Sequence, residues 1–121
     1  MKKRILIIDN DADIVDGIRN ILGKKPYEVL YHVDFDDIIK LVQDLAPNII
    51  FLDYILNGKN GGDLCKFLKS HVLTKNIPVI LFSAYPKILY SHNNFGFNDI
   101  LEKPFENDDF VYLIDKYLKE K

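Results

Sequence analysis

Three stretches of the chain are apolar without alternation. Arg4 to Asp9 (RILIID), Asn48 to Asp53 (NIIFLD) and Pro78 to Ala84 (PVILFSA) each carry four apolar residues in a row. Such unbroken runs fit strands buried on both faces of a sheet. Tyr27 to Val33 (YEVLYHV) is rich in β-formers and partly alternates, as an edge or near-edge strand does, and Asp99 to Lys103 is a short strand closed by Pro104. Between these runs the apolar spacing is helical. Ile14, Val15, Ile18, Ile21 and Leu22 form a stripe within Asp11 to Lys24, which Gly23 stops. Ile38, Ile39, Leu41, Val42 and Leu45 form another within Asp34 to Ala46, ended by Pro47. A helix near Asp63 to His71 is expected to turn Leu64, Phe67 and Leu68 inward. Phe110, Val111, Leu113, Ile114, Tyr117 and Leu118 make the last helix, with Asn107, Asp108 and Asp109 favourable at its N-terminus. Tyr85 to Gly96 gives the weakest signal, a short helix starting at Pro86 and ending at Asn93-Asn94.

Strands alternating with helices imply a parallel sheet covered on both faces, with right-handed crossovers. The pattern is α/β, a (βα)5 unit, expected as one domain over residues 1–121. Five strands in this alternation take the flavodoxin-like order 2-1-3-4-5, whose switch point lies between strands one and three. That order sets the ends of RILIID and IIFLD side by side.

Composition narrows the partners. Of 121 residues 48% are hydrophobic and 28% charged, and the net charge of -2 gives no reason for electrostatic capture of nucleic acid or anionic lipid. Cys65 is the single cysteine, which excludes an intrachain disulfide and a cysteine-rich zinc site and leaves it as a small core residue. No apolar segment reaches membrane-spanning length, and the start MKKRILIIDN meets an aspartate too early for a signal peptide, so a cytoplasmic protein is expected. His32, His71 and His92 lack ligand spacing and read as surface residues, and Asp34, Asp36 and Asp37 as a solvated helix start.

The chemistry gathers at strand ends. Strand one delivers Asp9-Asn10, strand three Asp53, strand four Ser83 and strand five Lys103, all at one edge of a parallel sheet. Singly, either aspartate reads as a turn former or cap, Ser83 as a strand-end hydroxyl and Lys103 as an exposed lysine. Together they read as a site. Two neighbouring carboxylates repel, so one holds a proton or a cation stands between them. Oxygen ligands suit Mg²⁺, which keeps several waters and shares its sphere with a phosphoryl group. A carboxylate can also be the nucleophile of phosphoryl transfer, giving an acyl phosphate. Lys103 and Ser83 would then serve the charged equatorial oxygens.

With these residues in place, the chain resembles the receiver domain of two-component response regulators over essentially its whole length. The resemblance rests on Asp9-Asn10-Asp11, on Asp53 followed by a glycine-containing loop, on Ser83-Ala84 and on Lys103-Pro104-Phe105. It implies that Asp53 accepts phosphate from a histidine kinase or a histidine phosphotransfer protein. It implies that Asp9, Asp53 and the Ile55 carbonyl hold Mg²⁺, with Asn10 at the fourth metal position. Ser83 and Lys103 would each bind a phosphoryl oxygen, and the Lys103-Pro104 bond would be cis. The expected protein is a switch rather than an enzyme, turning over only its own phosphoryl group. Its output would pass by contact to an unknown downstream protein, without nucleic acid or membrane, from a monomer or weak dimer.

The chain departs from that family's pattern in four ways. Asn10 stands where an acidic metal ligand is usual, which predicts weaker Mg²⁺ binding; Asp11 or Asp13 could compensate, although the first turn of a helix would point them differently. Ile100 replaces the aromatic three residues before the lysine, so the switch is expected to be altered. The Ser83-to-Lys103 interval is short, predicting a truncated or irregular fourth helix. Asn57 stands where proline is common, and Ile55 and Tyr85 offer no carboxylate or amide to orient water, which predicts slow self-dephosphorylation. The alternative reading is a degenerate receiver that binds protein without phosphate. A phosphohydrolase would want an acid/base two residues after its nucleophile, where Ile55 stands, and a flavin phosphate would meet the acidic loop after strand one.

Overall fold

The computed structural model describes residues 2–56, 58–87 and 95–119. In chain order its elements are β1 (Lys3–Ile8), α1 (Ala12–Leu22), β2 (Tyr27–His32), α2 (Ile38–Leu45), β3 (Ile49–Asp53), β4 (Ile55–Leu56), β5 (Lys59–Asn60), α3 (Gly61–Ser70), β6 (Val79–Ser83), β7 (Asp99–Glu102) and α4 (Asn107–Leu118). The main sheet has five strands, all parallel, in the order β2-β1-β3-β6-β7. This is the flavodoxin-like arrangement expected from the alternation.

The unbroken apolar runs follow from coverage on both sides. Successive strand residues face opposite ways, so Ile5, Ile7, Ile49, Phe51, Ile80 and Phe82 pack under α1 and α4. Leu6, Ile8, Ile50, Leu52, Val79 and Leu81 pack under α2 and α3. Phe51 holds the first side together, its ring 5.4 Å from Phe82 and 5.0 Å from Phe110. Cys65 is fully buried in the second layer, as expected. Burial pushes its thiol up to about 12.

Helix starts follow their caps. The Asp11 carboxylate accepts from Asp13 N–H at 3.0 Å, and Asp37 from Ile39 and Lys40 N–H at 3.1 and 3.2 Å. The second helix therefore starts at Ile38 rather than near Asp34. Gly23 stops α1 at φ 55°, its N–H bonded to the Arg19 carbonyl.

Three expectations need correction. Leu68 is buried and Leu64 packs partly buried against the core as expected, but Phe67 is 52% exposed, and Gly61, Gly62 and Cys65 join the inward face of α3. The phase is set by the start of the helix, because Gly61 lies against the Asp53 carbonyl and Gly62 against the Phe95 ring, where no Cβ would fit. The stretch after Asp53 pairs as an antiparallel hairpin, Ile55 opposite Asn60 and Leu56 opposite Lys59, rather than running as a plain loop. His32 and His71 are half-buried, and His71 Nδ1 accepts from Leu73 N–H at 3.2 Å. Asn57, His92 and the Asn93-Asn94 end of the short helix lie outside the described residues; Pro86 and Lys87 are helical. Among the described residues no helix is long and apolar enough to cross a membrane.

Candidate functional site

The strand register assembles the site. Ile8 stands beside Leu52, so the next residues, Asp9 and Asp53, leave neighbouring strands together. Asp53 lies opposite Phe82, and Ser83 opposite Glu102, the residue before Lys103. Asp9 is fully buried, Asp53 9% exposed and Ser83 3% exposed. The sheet thus brings together all four side chains the sequence pointed to.

Lys103 stands between the carboxylates. Its Nζ donates to Asp9 Oδ2 at 2.7 Å and lies 3.5 Å from Asp53 Oδ1. The chain holds it there through its N–H, bonded to the Ser83 carbonyl at 2.8 Å, and the Lys103-Pro104 peptide is cis. Asp9 Oδ1 accepts from Asp11 N–H at 2.9 Å, Asp53 Oδ1 from Ile55 N–H at 3.4 Å and Ser83 Oγ from Tyr85 N–H at 2.9 Å. Each polar side chain is therefore oriented by the backbone that follows its own strand.

Charge is not balanced by these contacts. Two carboxylates face one ammonium. Burial, and then the neighbouring Asp9 charge, push the Asp53 carboxyl above its ordinary value, although Lys103 and the Ile55 N–H pull the other way. A residual negative charge on two largely buried carboxylates suits a divalent cation. Among the described residues no group of three or more His, Cys, Asp or Glu could hold a metal on its own. Two carboxylates and a backbone oxygen fit Mg²⁺, which uses few protein ligands and completes its sphere with water and phosphate oxygens. The residues that would hold it are Asp9 and Asp53, with exposed Asn10 at the rim and the Ile55 carbonyl as the further ligand that the resemblance implies. Asp11 does not compensate for Asn10, because its carboxylate caps α1.

The profile of the response regulator receiver domain matches residues 5–115. The chain belongs to this family. Among relatives, the phosphate regulon transcriptional regulatory protein PhoB of Klebsiella pneumoniae is 27% identical over 116 residues, covering 94% of this chain and 51% of that protein. The DNA-binding response regulator MtrA of Mycobacterium tuberculosis is 26% identical over 113 residues, covering 92% and 48%. This receiver domain thus spans about half the length of the curated relatives it matches. The solved receiver domain of NtrX from Brucella abortus superposes with a TM-score of 0.80 at 28% identity, covering 97% and 99% of the two chains. The chemotaxis response regulator CheY4 of Vibrio cholerae gives 0.83 at 18% identity, covering 98% and 100%, a likeness of fold alone.

Around the receiver's acidic pocket, Ile55 and Tyr85 are 63% and 67% exposed at the rim. Ile100, opposite Leu81 in the sheet, is partly buried against the α2 and α3 side of the core. Two contributors escaped the sequence. Gly61 has no room for a side chain against the Asp53 carbonyl, and its N–H donates to the Tyr54 carbonyl at 2.6 Å. Lys59 pairs with Asp34, 25 positions away, at 2.8 Å. The glycine was visible as part of the glycine-containing loop after Asp53; nothing local marked the lysine.

Proposed function

We propose that this receiver domain is a phosphoacceptor switch. Asp53 takes a phosphoryl group from a phosphohistidine on a histidine kinase or a histidine phosphotransfer protein, and the phosphorylated state signals by protein contact. The observation that carries the reading is the enclosed Asp9–Asp53 pair with the Lys103 ammonium between them.

A carboxylate oxygen of Asp53 attacks phosphorus while the donor's P–N bond breaks, and the bonding pair returns to the imidazole nitrogen. The product is an acyl phosphate on Asp53. Lys103 is near enough to follow the charge from the carboxylate to a phosphoryl oxygen. The Ser83 hydroxyl, accepting from Tyr85 N–H, keeps its own proton to donate to a second oxygen. Mg²⁺, when bound through Asp9, Asp53 and the Ile55 carbonyl, would neutralise charge on the transferring group.

The reading is of a switch, turning over its own phosphoryl group and no separate substrate. A cytoplasmic location goes with it. PhoB and MtrA are named for transcription and DNA binding, while the net charge of this chain is -2, so the receiver itself is assigned a protein partner. Asn10 and Ile100 favour a second reading, a binding module that works without phosphate. Incubation with Mg²⁺ and acetyl phosphate, followed by intact mass, separates the two. One phosphate per wild-type chain and none on Asp53→Ala supports the switch; no phosphate on either supports the module.

A further inference from the structure

Among the described residues, Lys59 makes three contacts outside its own hairpin. Its Nζ donates to Asp34 Oδ1 at 2.8 Å and to the Phe35 carbonyl at 3.4 Å, and stands 4.3 Å from the centre of the Phe35 ring. Both partners belong to the connection between β2 and α2. In the order β2-β1-β3, a link from the hairpin after β3 to the connection after β2 passes over the end of β1, where Asp9 and Asn10 stand. The same connection follows His32, whose carbonyl accepts from Asp9 N–H at 3.3 Å.

The hairpin needs such a hold. Each of its strands is two residues long, too short to be stable alone. Leu56 is fully buried and Asn60 caps α3 by accepting from Asp63 N–H at 3.1 Å. Ile55 is less constrained. Its side chain is 63% exposed and its N–H reaches Asp53 Oδ1 only at 3.4 Å. Yet Ile55 is the residue whose N–H meets the Asp53 carboxylate, and Lys59 pairs with its neighbour Leu56.

We propose that Lys59 is a positioning residue for the Asp53 site: it ties the β4–β5 hairpin to the β2–α2 connection and so fixes the Ile55 peptide offered to Asp53 and to the divalent cation. The proposal rests on the phosphoacceptor reading above for its purpose, and on the hairpin geometry for its substance. The Lys59–Asp34 pair is solvated, at 41% and 59% side-chain exposure, so it contributes little to global stability. Its effect lies in where it holds the loop, as with outer groups that orient metal ligands.

The test is an Mg²⁺ titration of the whole chain, followed by the backbone amide resonance of Ile55, for wild type, Lys59→Met and Lys59→Arg. In Lys59→Met the Ile55 amide is expected to shift or broaden before any metal is added. Its half-saturating Mg²⁺ concentration should rise about tenfold, with the urea midpoint unchanged and Lys59→Arg restoring both signals. Half-saturation within about twofold of wild type and an unmoved Ile55 amide would overturn the proposal. So would a parallel fall in the urea midpoint that Lys59→Arg does not rescue, or a wild type that binds no Mg²⁺. Phosphate uptake by wild type is measured separately. Its failure would sink the phosphoacceptor reading, while the amide and Mg²⁺ readouts would still judge Lys59.

Discussion

Lys103 Nζ lies 2.7 Å from Asp9 Oδ2 but 3.5 Å from Asp53 Oδ1. Its stronger tie is to Asp9, and Asp53, the expected acceptor, is left less neutralised. Burial, and then the Asp9 charge, raise the Asp53 carboxyl, and Lys103 at this distance offsets them only in part. The asymmetry also leaves Asp53 the freer carboxylate to react.

The pH dependence of stability follows from this. Because the folded-state pKa of Asp53 lies above its unfolded value, the folded protein holds this proton more tightly. The favourable contribution is present below the unfolded carboxylate range and is lost as pH rises through the folded value. Asp53→Asn should therefore be more stable than wild type at neutral pH without Mg²⁺, and the gap should narrow as the solution is acidified. Urea midpoints of both proteins across that range check it; a gap that widens toward acid would contradict it.

Restoring the missing charge should strengthen metal binding. Asn10→Asp adds a third carboxylate at the mouth of the pocket, and Mg²⁺ affinity is expected to rise about tenfold. Without metal the added repulsion should lower stability. Calorimetric titration of both proteins decides the matter, and equal affinities would refute the prediction.

Gly61→Ala is expected to cost about 2–3 kcal/mol. A Cβ there would collide with the Asp53 carbonyl and crowd the Tyr54 Cα. Both are backbone atoms, so the clash cannot be relieved by a rotamer change. Equilibrium urea unfolding measures it, and a loss below about 0.5 kcal/mol, the range of ordinary surface changes, would show that the loop yields easily.

Much of this could be read before any coordinates. Apolar runs at Ile5 to Ile8, Ile49 to Leu52 and Val79 to Phe82 mark doubly covered strands, and the alternation with helical stripes fixes their order. Asp9, Asp53, Ser83 and Lys103 were legible because parallel strands end at one edge. What stayed hidden depends on contacts distant in sequence. Phe67 falls on the helical stripe as well as Cys65 does, and only the seating of Gly61 and Gly62 turns it outward. Asp34, Asp36 and Asp37 look alike in sequence, but only Asp37 is seen to cap α2, while Asp34 turns to Lys59. A hairpin of two-residue strands cannot be told from a turn by composition.

The acyl phosphate should be long-lived. Ile55 and Tyr85, exposed at the rim, carry no group to orient an attacking water. Ile55→Asn is expected to shorten the phosphoryl lifetime about tenfold or more. Decay after removal of the donor, followed by intact mass, tests this; a wild-type lifetime of only seconds would contradict it.

The most direct test of the central claim is chemical trapping of the acyl phosphate. The chain is incubated with Mg²⁺ and acetyl phosphate, reduced with borohydride, digested and sequenced by mass spectrometry. Reduction converts an aspartyl phosphate to homoserine. Homoserine at position 53, dependent on Mg²⁺ and lost when Lys103→Ala disables the site, is the predicted result. Unmodified Asp53 after full reaction, or homoserine at Asp9 or Asp11 instead, would contradict it.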